Sequence, residues 1–502
     1  MKKFVVLLLL FTMLLGVLLS SCNGDGKVDQ SSPSSGESQP ITNESSEAEQ
    51  LLVPPLGKRD LGGFTLTFLA TNRDSKSYTT LIVPDELNEE PINDAAYNRN
   101  ELIKNEYNCE IEVIWTDPQN AYVQKVSNDV LSGVSDYNVC ITSVQPLAQL
   151  ALAKNLFDLN AIKNSNLSLD SPWWDQSANE SMTILGKLFF ATGDITVLDE
   201  ENTQCIYFNK DMVDNYKLEN PYQLVYDGKW TIDAMHELCL EVGTPGGDGI
   251  MNMDGDDTYG FVGTAFDTYK LIIAANCPQI ERDGDGNPVI AMTNERNVNA
   301  FNKVKAFMND RACVAWMEQY YRWDDYDNNV KCKAHFYNGQ ALFLCDYVSA
   351  VGSQLMAGTT FRYGVLPTPK YDEDQEYYVD GIDPPHFFGI AIPKMPDADL
   401  DKITFILDAM SYLSKQNVTP LYYELTLKEK RFRDDDAPKM LDLIFEHRCV
   451  DLSIIFNWNN CIQYYNQLVG SNGNVVSFME SHTEGMQTAM DETMNELRDL
   501  TD

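Results

Sequence analysis

Apolar and polar positions first alternate regularly at Phe64-Thr65-Leu66-Thr67-Phe68-Leu69, where Phe64, Leu66 and Phe68 share one face of an expected strand. Asn93 is the expected cap of a helix running through Tyr107, and Cys109, Ile111, Val113 and Trp115 then alternate with Glu110 and Glu112 as a second strand. Val123, Val126 and Val130 mark a further helix and Val139-Cys140-Ile141 a third strand. Strand, helix, strand, helix, strand within ~80 residues predicts a parallel sheet covered by helices.

A second α/β region begins at Cys205-Ile206-Tyr207-Phe208-Asn209, a short strand followed by a polar turn. Thr231 then caps a helix whose apolar residues are Ile232, Met235, Leu238, Cys239 and Val242. The Gly/Asp turn at 283–288 predicts a hairpin. From Phe388 onward the pattern reads as helical, with Ile403, Ile406, Leu407, Met410 and Leu413 on one stripe expected to pack on the second lobe. Two lobes are expected because 502 residues exceed the ~250–300 at which one core stops growing.

The first 21 residues carry Lys2 and Lys3, an apolar run from Phe4 to Leu19 and a small-residue end before Cys22, the pattern of a signal peptide. Leu19-Ser20-Ser21-Cys22 resembles a bacterial lipobox, which implies cleavage before Cys22 and a lipid, palmitate among its chains, on that thiol. Residues 22–57 are Ser-, Glu- and Pro-rich and read as a disordered tether.

Removing Lys2 and Lys3 takes the formal charge from −38 to −40, which excludes a phosphate-binding face and with it nucleic acid as a partner. Ten cysteines besides Cys22 occur singly without a CxxC, so neither a zinc motif nor a disulfide scaffold is indicated; Cys109, Cys239 and Cys345 read as buried small hydrophobes. The histidines at 236, 335, 386, 447 and 482 are too scattered for a metal motif. No nucleophile elbow, phosphate-binding P-loop or dinucleotide fingerprint occurs.

Several phrases resemble the bacterial extracellular solute-binding proteins of carbohydrate ABC importers, family 1. They are Tyr207-Phe208-Asn209-Lys210-Asp211 followed by Trp230-Thr231, the stretch Ile92 to Asn100, and His335-Phe336-Tyr337-Asn338-Gly339-Gln340-Ala341-Leu342-Phe343 followed by Tyr363-Gly364-Val365-Leu366-Pro367-Thr368-Pro369. The resemblance implies a two-lobed periplasmic-binding-protein-like fold of type II, each lobe a mostly parallel sheet flanked by helices, with the ligand cleft between lobes. It divides the chain into a first lobe at 58–165, a second at 166–330, a return to the first at 331–385 and a helical remainder of the second at 386–502. The implied function is capture of a mono- or oligosaccharide, without catalysis, by a monomer anchored outside the cell membrane that delivers it to permease subunits. Binding of peptides or another small polar solute, and a surface-anchored carbohydrate-active enzyme, stand as alternatives.

Sugar recognition needs aromatic rings for the apolar ring faces and Asp, Glu, Asn or Arg for the hydroxyls. Trp173, Trp174, Glu201, Asn202, Asp346, Tyr347, Asp383, Trp458, Asn72 and Arg73 are the candidates, all expected in loops near lobe junctions. Trp173 and Trp174 are favoured because two adjacent rings on a strand cannot both face one core. No cofactor is expected beyond a structural calcium: the loop containing Asp248, Asn252, Asp254 and Asp256 resembles the calcium loops of relatives, although Thr244 and Gly246 stand where the first two ligands belong.

Overall fold

Strands alternate with helices from Phe64 onward in the computed structural model, which describes residues 57–71, 81–116, 119–253, 256–320, 326–383, 386–427 and 435–498. The signal segment, Cys22, the tether through position 56, Asn72, Arg73 and Asp254 lie outside the described residues. In chain order the strands are β1 (Phe64–Thr71), β2 (Cys109–Thr116), β3 (Val139–Ser143), β4 (Gln204–Asn209), β5 (Tyr259–Gly263), β6 (Ile280–Arg282) and β7 (Pro288–Ile290). They continue with β8 (Val314–Trp316), β9 (Ala341–Tyr347), β10 (Tyr363–Leu366), β11 (Asp380–Gly381), β12 (Phe388–Ala391) and β13 (Arg448–Cys449).

Two sheets carry the architecture. The first has the order β12-β3-β1-β2, with β1 parallel to both β2 and β3 and β12 antiparallel to β3. The second has the order β10-β4-β9-β5-β8; β9, β5 and β8 run parallel while β4 is antiparallel to both of its neighbours. The protein is thus a two-lobed α/β structure with one mostly parallel and one mixed sheet. The expected hairpin is β6-β7. No helix among the described residues is long and apolar enough to cross a membrane.

Local sequence explains how helices seat on each sheet. The helix Pro91–Tyr107 starts on Glu90, whose carboxylate accepts from Asn93 N at 2.7 Å, with Pro91 at the position where a missing N–H costs nothing. Glu90 therefore holds the cap expected of Asn93. One face buries Ile92, Ala96, Ile103 and Tyr107. Arg99 is also buried, and its guanidinium donates to the carbonyls of Leu81, Ile82 and Ile195 and to the Ser414 hydroxyl. Burial pushes its pKa down to about 9. In the second lobe, Thr231 caps the helix Ile232–Val242 at Ala234 N, and the five apolar residues expected on its inner face are all buried. Gly260 on β5 lets that helix approach, since a Cβ there would lie 2.2 Å from Cys239 Cβ.

Four expectations about chain routing are corrected. The segment 331–385, expected to return to the first lobe, supplies β9 and β10 to the second sheet, because Ala341 to Tyr347 pairs with both β4 and β5. Phe388–Ala391, read as helical, is the strand that returns to the first sheet. The crossing expected near residue 166 comes later: Ser168 N still bonds Asp408 and Ala191 still bridges Ile390 on the first-lobe side. The helix Leu400–Asn417 packs on the first lobe rather than the second, with Phe405 edge-on to Tyr107 at 4.8 Å and Ser414 bonded to Arg99. A buried four-residue run such as Phe-Gly-Ile-Ala carries no period to separate strand from helix.

Candidate functional site

Parallel strands present their carboxyl ends to one edge of a sheet, and ligands of open α/β sheets bind there. In the first sheet that edge is Thr71 and Ser143, with antiparallel β12 starting beside them at Phe388. In the second it is Gly263, Trp316 and Tyr347, with antiparallel β4 starting at Gln204 opposite Tyr347. Among the described residues, two chain passes between these edges pair with each other, antiparallel, at isolated bridges from Ala191 to Ile390 and from Thr203 to Ile382.

Polar side chains concentrate on this crossing. The Tyr347 hydroxyl donates to Asp383 Oδ2 at 2.7 Å, and His386 Nδ1 contacts the same oxygen. Asn202 donates from its side-chain amide to the carbonyls of Leu198 and His386, and its own carbonyl accepts from Asp383 N. Asp383 is buried, and burial alone would raise its pKa. The bonds from His386 and Tyr347 and the charge of Lys270 outweigh burial and hold the carboxyl below its usual range. Tyr347 moves the other way: burial and the Asp383 charge push its phenol well up.

A second row of charges lies behind Tyr347. Lys270, on the helix Asp267–Ala274, pairs with Asp267 at 2.8 Å and sits 4.6 Å from the Tyr347 ring centre. Burial opposes the lysine charge, but Asp267 and its neighbours raise its pKa well above normal. Asp267 also accepts from Thr264 N, at the end of β5. Lys333 pairs with Asp346 at 2.8 Å, and Glu318 accepts from Ala265 N. On the first-lobe side, the buried hydroxyls of Thr71 and Thr142 bond each other at 2.9 Å. The edge therefore carries carboxylate, ammonium, imidazole and hydroxyl groups, paired largely with one another. Half of the His386 side chain is exposed, and among the described residues its Nε2 has no partner.

Of the residues singled out from sequence, the structure brings Asn202, Asp346, Tyr347 and Asp383 together here, with Glu201 buried beside them on the helix Leu198–Glu201. The tryptophans go elsewhere. Trp173 and Trp174 both donate their indole N–H groups to Asp408 Oδ1, at 3.0 and 2.9 Å, and Trp173 stands edge-on to Tyr412. Adjacent rings thus serve one buried carboxylate on the helix Leu400–Asn417, and nothing among the described contacts joins them to Tyr347 or Asp383. Trp458 is buried too, stacked on Phe456 and donating to Thr493 Oγ1 at 2.8 Å. Lys270, Lys333, Asp267 and His386 were missed. The signal for two of them was the Asp267–Lys270 spacing directly after an apolar strand, which places both on one helix face.

In the Gly/Asp loop, Asp248 accepts from Ile250 N and Asn252 Nδ2, and Asp256 from Gly247 N. The organising residue is the buried Asp257, which accepts from Gly246 N, Asn252 N, Met253 N and the Tyr259 hydroxyl.

The crossing also holds a buried ion cluster. Arg448 on β13 pairs with Asp175 at 2.5 Å and lies 3.5 Å from Asp199 and 4.0 Å from Glu200. Burial and the neighbouring Glu200 push Asp199 well above the usual carboxylate range.

Comparison with solved structures gives the same fold at low identity. A cyclic α-maltosyl-1,6-maltose binding protein from Arthrobacter globiformis aligns with TM-score 0.57 and 11% identity over 86% of this chain and 99% of its own. An ABC substrate-binding protein from Listeria monocytogenes in complex with cycloalternan aligns with TM-score 0.53 and 13% identity over 86% and 99%. UspC of M. tuberculosis gives 0.54 and 14% over 85% and 100%. No curated protein sequence matches the chain. The sequence profile described as bacterial extracellular solute-binding protein matches residues 89–384, more than half of the chain, from before β2 to the Asp383 crossing. The chain belongs to the bacterial extracellular solute-binding protein family.

Proposed function

We propose that this solute-binding protein is the substrate-binding lipoprotein of an ABC importer, taking a mono- or oligosaccharide between its lobes and delivering it to the membrane permease. The observation that carries the reading is the meeting of both sheets' carboxyl edges at Asn202, Tyr347, Asp383 and His386. A ligand touching both edges bonds fully only when the lobes are closed on it, and closure follows from that difference in affinity. Two neighbours in fold support it: one was solved in complex with cycloalternan, and the other is a cyclic α-maltosyl-1,6-maltose binding protein. The lipid on Cys22 would keep the body at the membrane where the permease sits.

The test is thermal unfolding of the mature protein with a panel of mono- and oligosaccharides, amino acids and short peptides. A ligand at 100 times its Kd adds about 2.7 kcal/mol to native stability. A raised midpoint with one sugar class, and recovery of that sugar unchanged after incubation, is the expected result. A response to peptides alone, or conversion of the sugar, overturns the reading.

A further inference from the structure

Among the ten described cysteines, all of them free thiols, Cys313 alone has an imidazole and a carboxylate within reach. His236 on the helix Ile232–Val242, Asp310 in the turn after the helix Glu295–Met308, and Cys313 just before β8 place one nitrogen, one oxygen and one sulfur ligand atom within 4.8 Å of one another. Asp310 and Cys313 are three residues apart, but His236 lies 74 residues before Asp310, so no spacing motif announces the trio.

Each is held by its backbone and packing. Asp310 O accepts from Cys313 N at 3.1 Å and Val314 N at 2.9 Å, and Cys313 O accepts from Gly260 N at 2.8 Å. The His236 ring stands edge-on to Phe307 at 5.4 Å, and its Nε2 lies 2.8 Å from Asp310 Oδ2. That separation is a little shorter than the ~3.3 Å edge of a tetrahedral ion with ~2.0 Å bonds to nitrogen and oxygen. About a third of the His236 and Asp310 side chains is exposed, which gives an ion an approach, whereas Cys313 is fully buried beneath them. Burial and the Asp310 charge push the Cys313 thiol up to about 12, so it is no nucleophile on its own.

We propose that His236, Asp310 and Cys313 form a site for a divalent transition metal of the zinc class, with solvent in the fourth position. Imidazole, carboxylate and thiolate together suit a borderline ion and not calcium or magnesium. Binding replaces the thiol S–H by a sulfur-metal bond and releases the proton to water, and the ion's charge reverses the field that otherwise keeps the thiol protonated. The ion would tie the helix Ile232–Val242 to the turn entering β8, a link that does not depend on the sugar site.

Cobalt(II) is the probe, added to reduced, metal-stripped full-length protein. The expected result is a thiolate-to-cobalt charge-transfer band with intense visible bands, saturating at one equivalent and erased by zinc. His236→Gln and Cys313→Ser are each expected to lose the band, and His236→Gln, altering a part-exposed ring, keeps its circular dichroism and sugar response. No band at one equivalent, or a band unchanged in His236→Gln, overturns the proposal and marks any bound metal as an adventitious ion only.

Discussion

The hydroxyl of Tyr347, the last residue of β9, donates to Asp383 at 2.7 Å and so joins the second sheet's edge to the segment that crosses to the first. Tyr347→Phe is expected to cost about 1–3 kcal/mol, because a buried carboxylate loses a donor, and to weaken sugar binding about tenfold. The pH dependence has a definite sign. Asp383 titrates below its unfolded value, so its contribution is present above pH ~4 and lost as pH falls. Without the phenol its pKa rises, and acid unfolding should begin at higher pH than in the wild type. Urea unfolding at several pH values between 3 and 7 reads both effects.

Asp408 accepts from Trp173, Trp174 and Ser168 N through one oxygen. Asp408→Ala leaves three donors without a partner and should destabilise by about 2–4 kcal/mol. Trp173→Phe and Asp408→Ala should not add in the double variant, since they break the same contact. Sugar affinity of the folded fraction, measured by calorimetry, is expected to stay unchanged; a loss would place the tryptophans at the ligand.

Asp380 on β11 accepts from Thr368 N at 2.9 Å but is fully buried, and burial pushes its pKa up to about 8. A carboxyl raised in the folded state favours folding most at low pH and loses that contribution as pH climbs from ~4 to 8, by at most ~1.4 kcal/mol per unit. Asp194, raised by burial to about 6, acts in the same direction over a narrower window. Asp380→Asn should therefore flatten the decline in unfolding free energy between pH 5 and 8.

Gly260→Ala would set a methyl 2.3 Å from Cys239 Cα, a backbone atom that cannot swing aside. Forcing the helix Ile232–Val242 off β5 is expected to cost about 3 kcal/mol, read as a lower denaturant midpoint with unchanged sugar specificity.

Where the chain's own period decides an element, sequence was enough. The alternation at Phe64, Leu66 and Phe68, the Thr231 cap and the Gly/Asp hairpin at 283–288 all rest on neighbours within a few residues. Routing between lobes rests on partners far away in sequence, and there the local pattern was silent: β9 reads the same whichever sheet it joins. The tryptophan pair shows the same limit in the site. Adjacency argued that the two rings part company, and a single carboxylate on a distant helix reunites them. Asn202, Asp346, Tyr347 and Asp383, singled out from the sequence as polar residues in loops near a lobe junction, do lie together at the crossing, but Asp346 and Tyr347 end strand β9 rather than standing in a loop. The cations among them, Lys270 and Lys333, were hidden by the many charges around them in an acidic chain.

Arg448 touches Asp175 ahead of the helix Gln176–Met182, and Asp199 and Glu200 on the first crossing pass, while its own strand pairs with β11 at the start of the second. One guanidinium thereby gathers three stretches of chain at the place where the lobes join. These charges are shut away from solvent, and counterions do not reach them as they reach the exposed charges of a chain whose formal net charge is −38. Ionic strength can then alter how a ligand is met from outside without loosening this junction between the lobes.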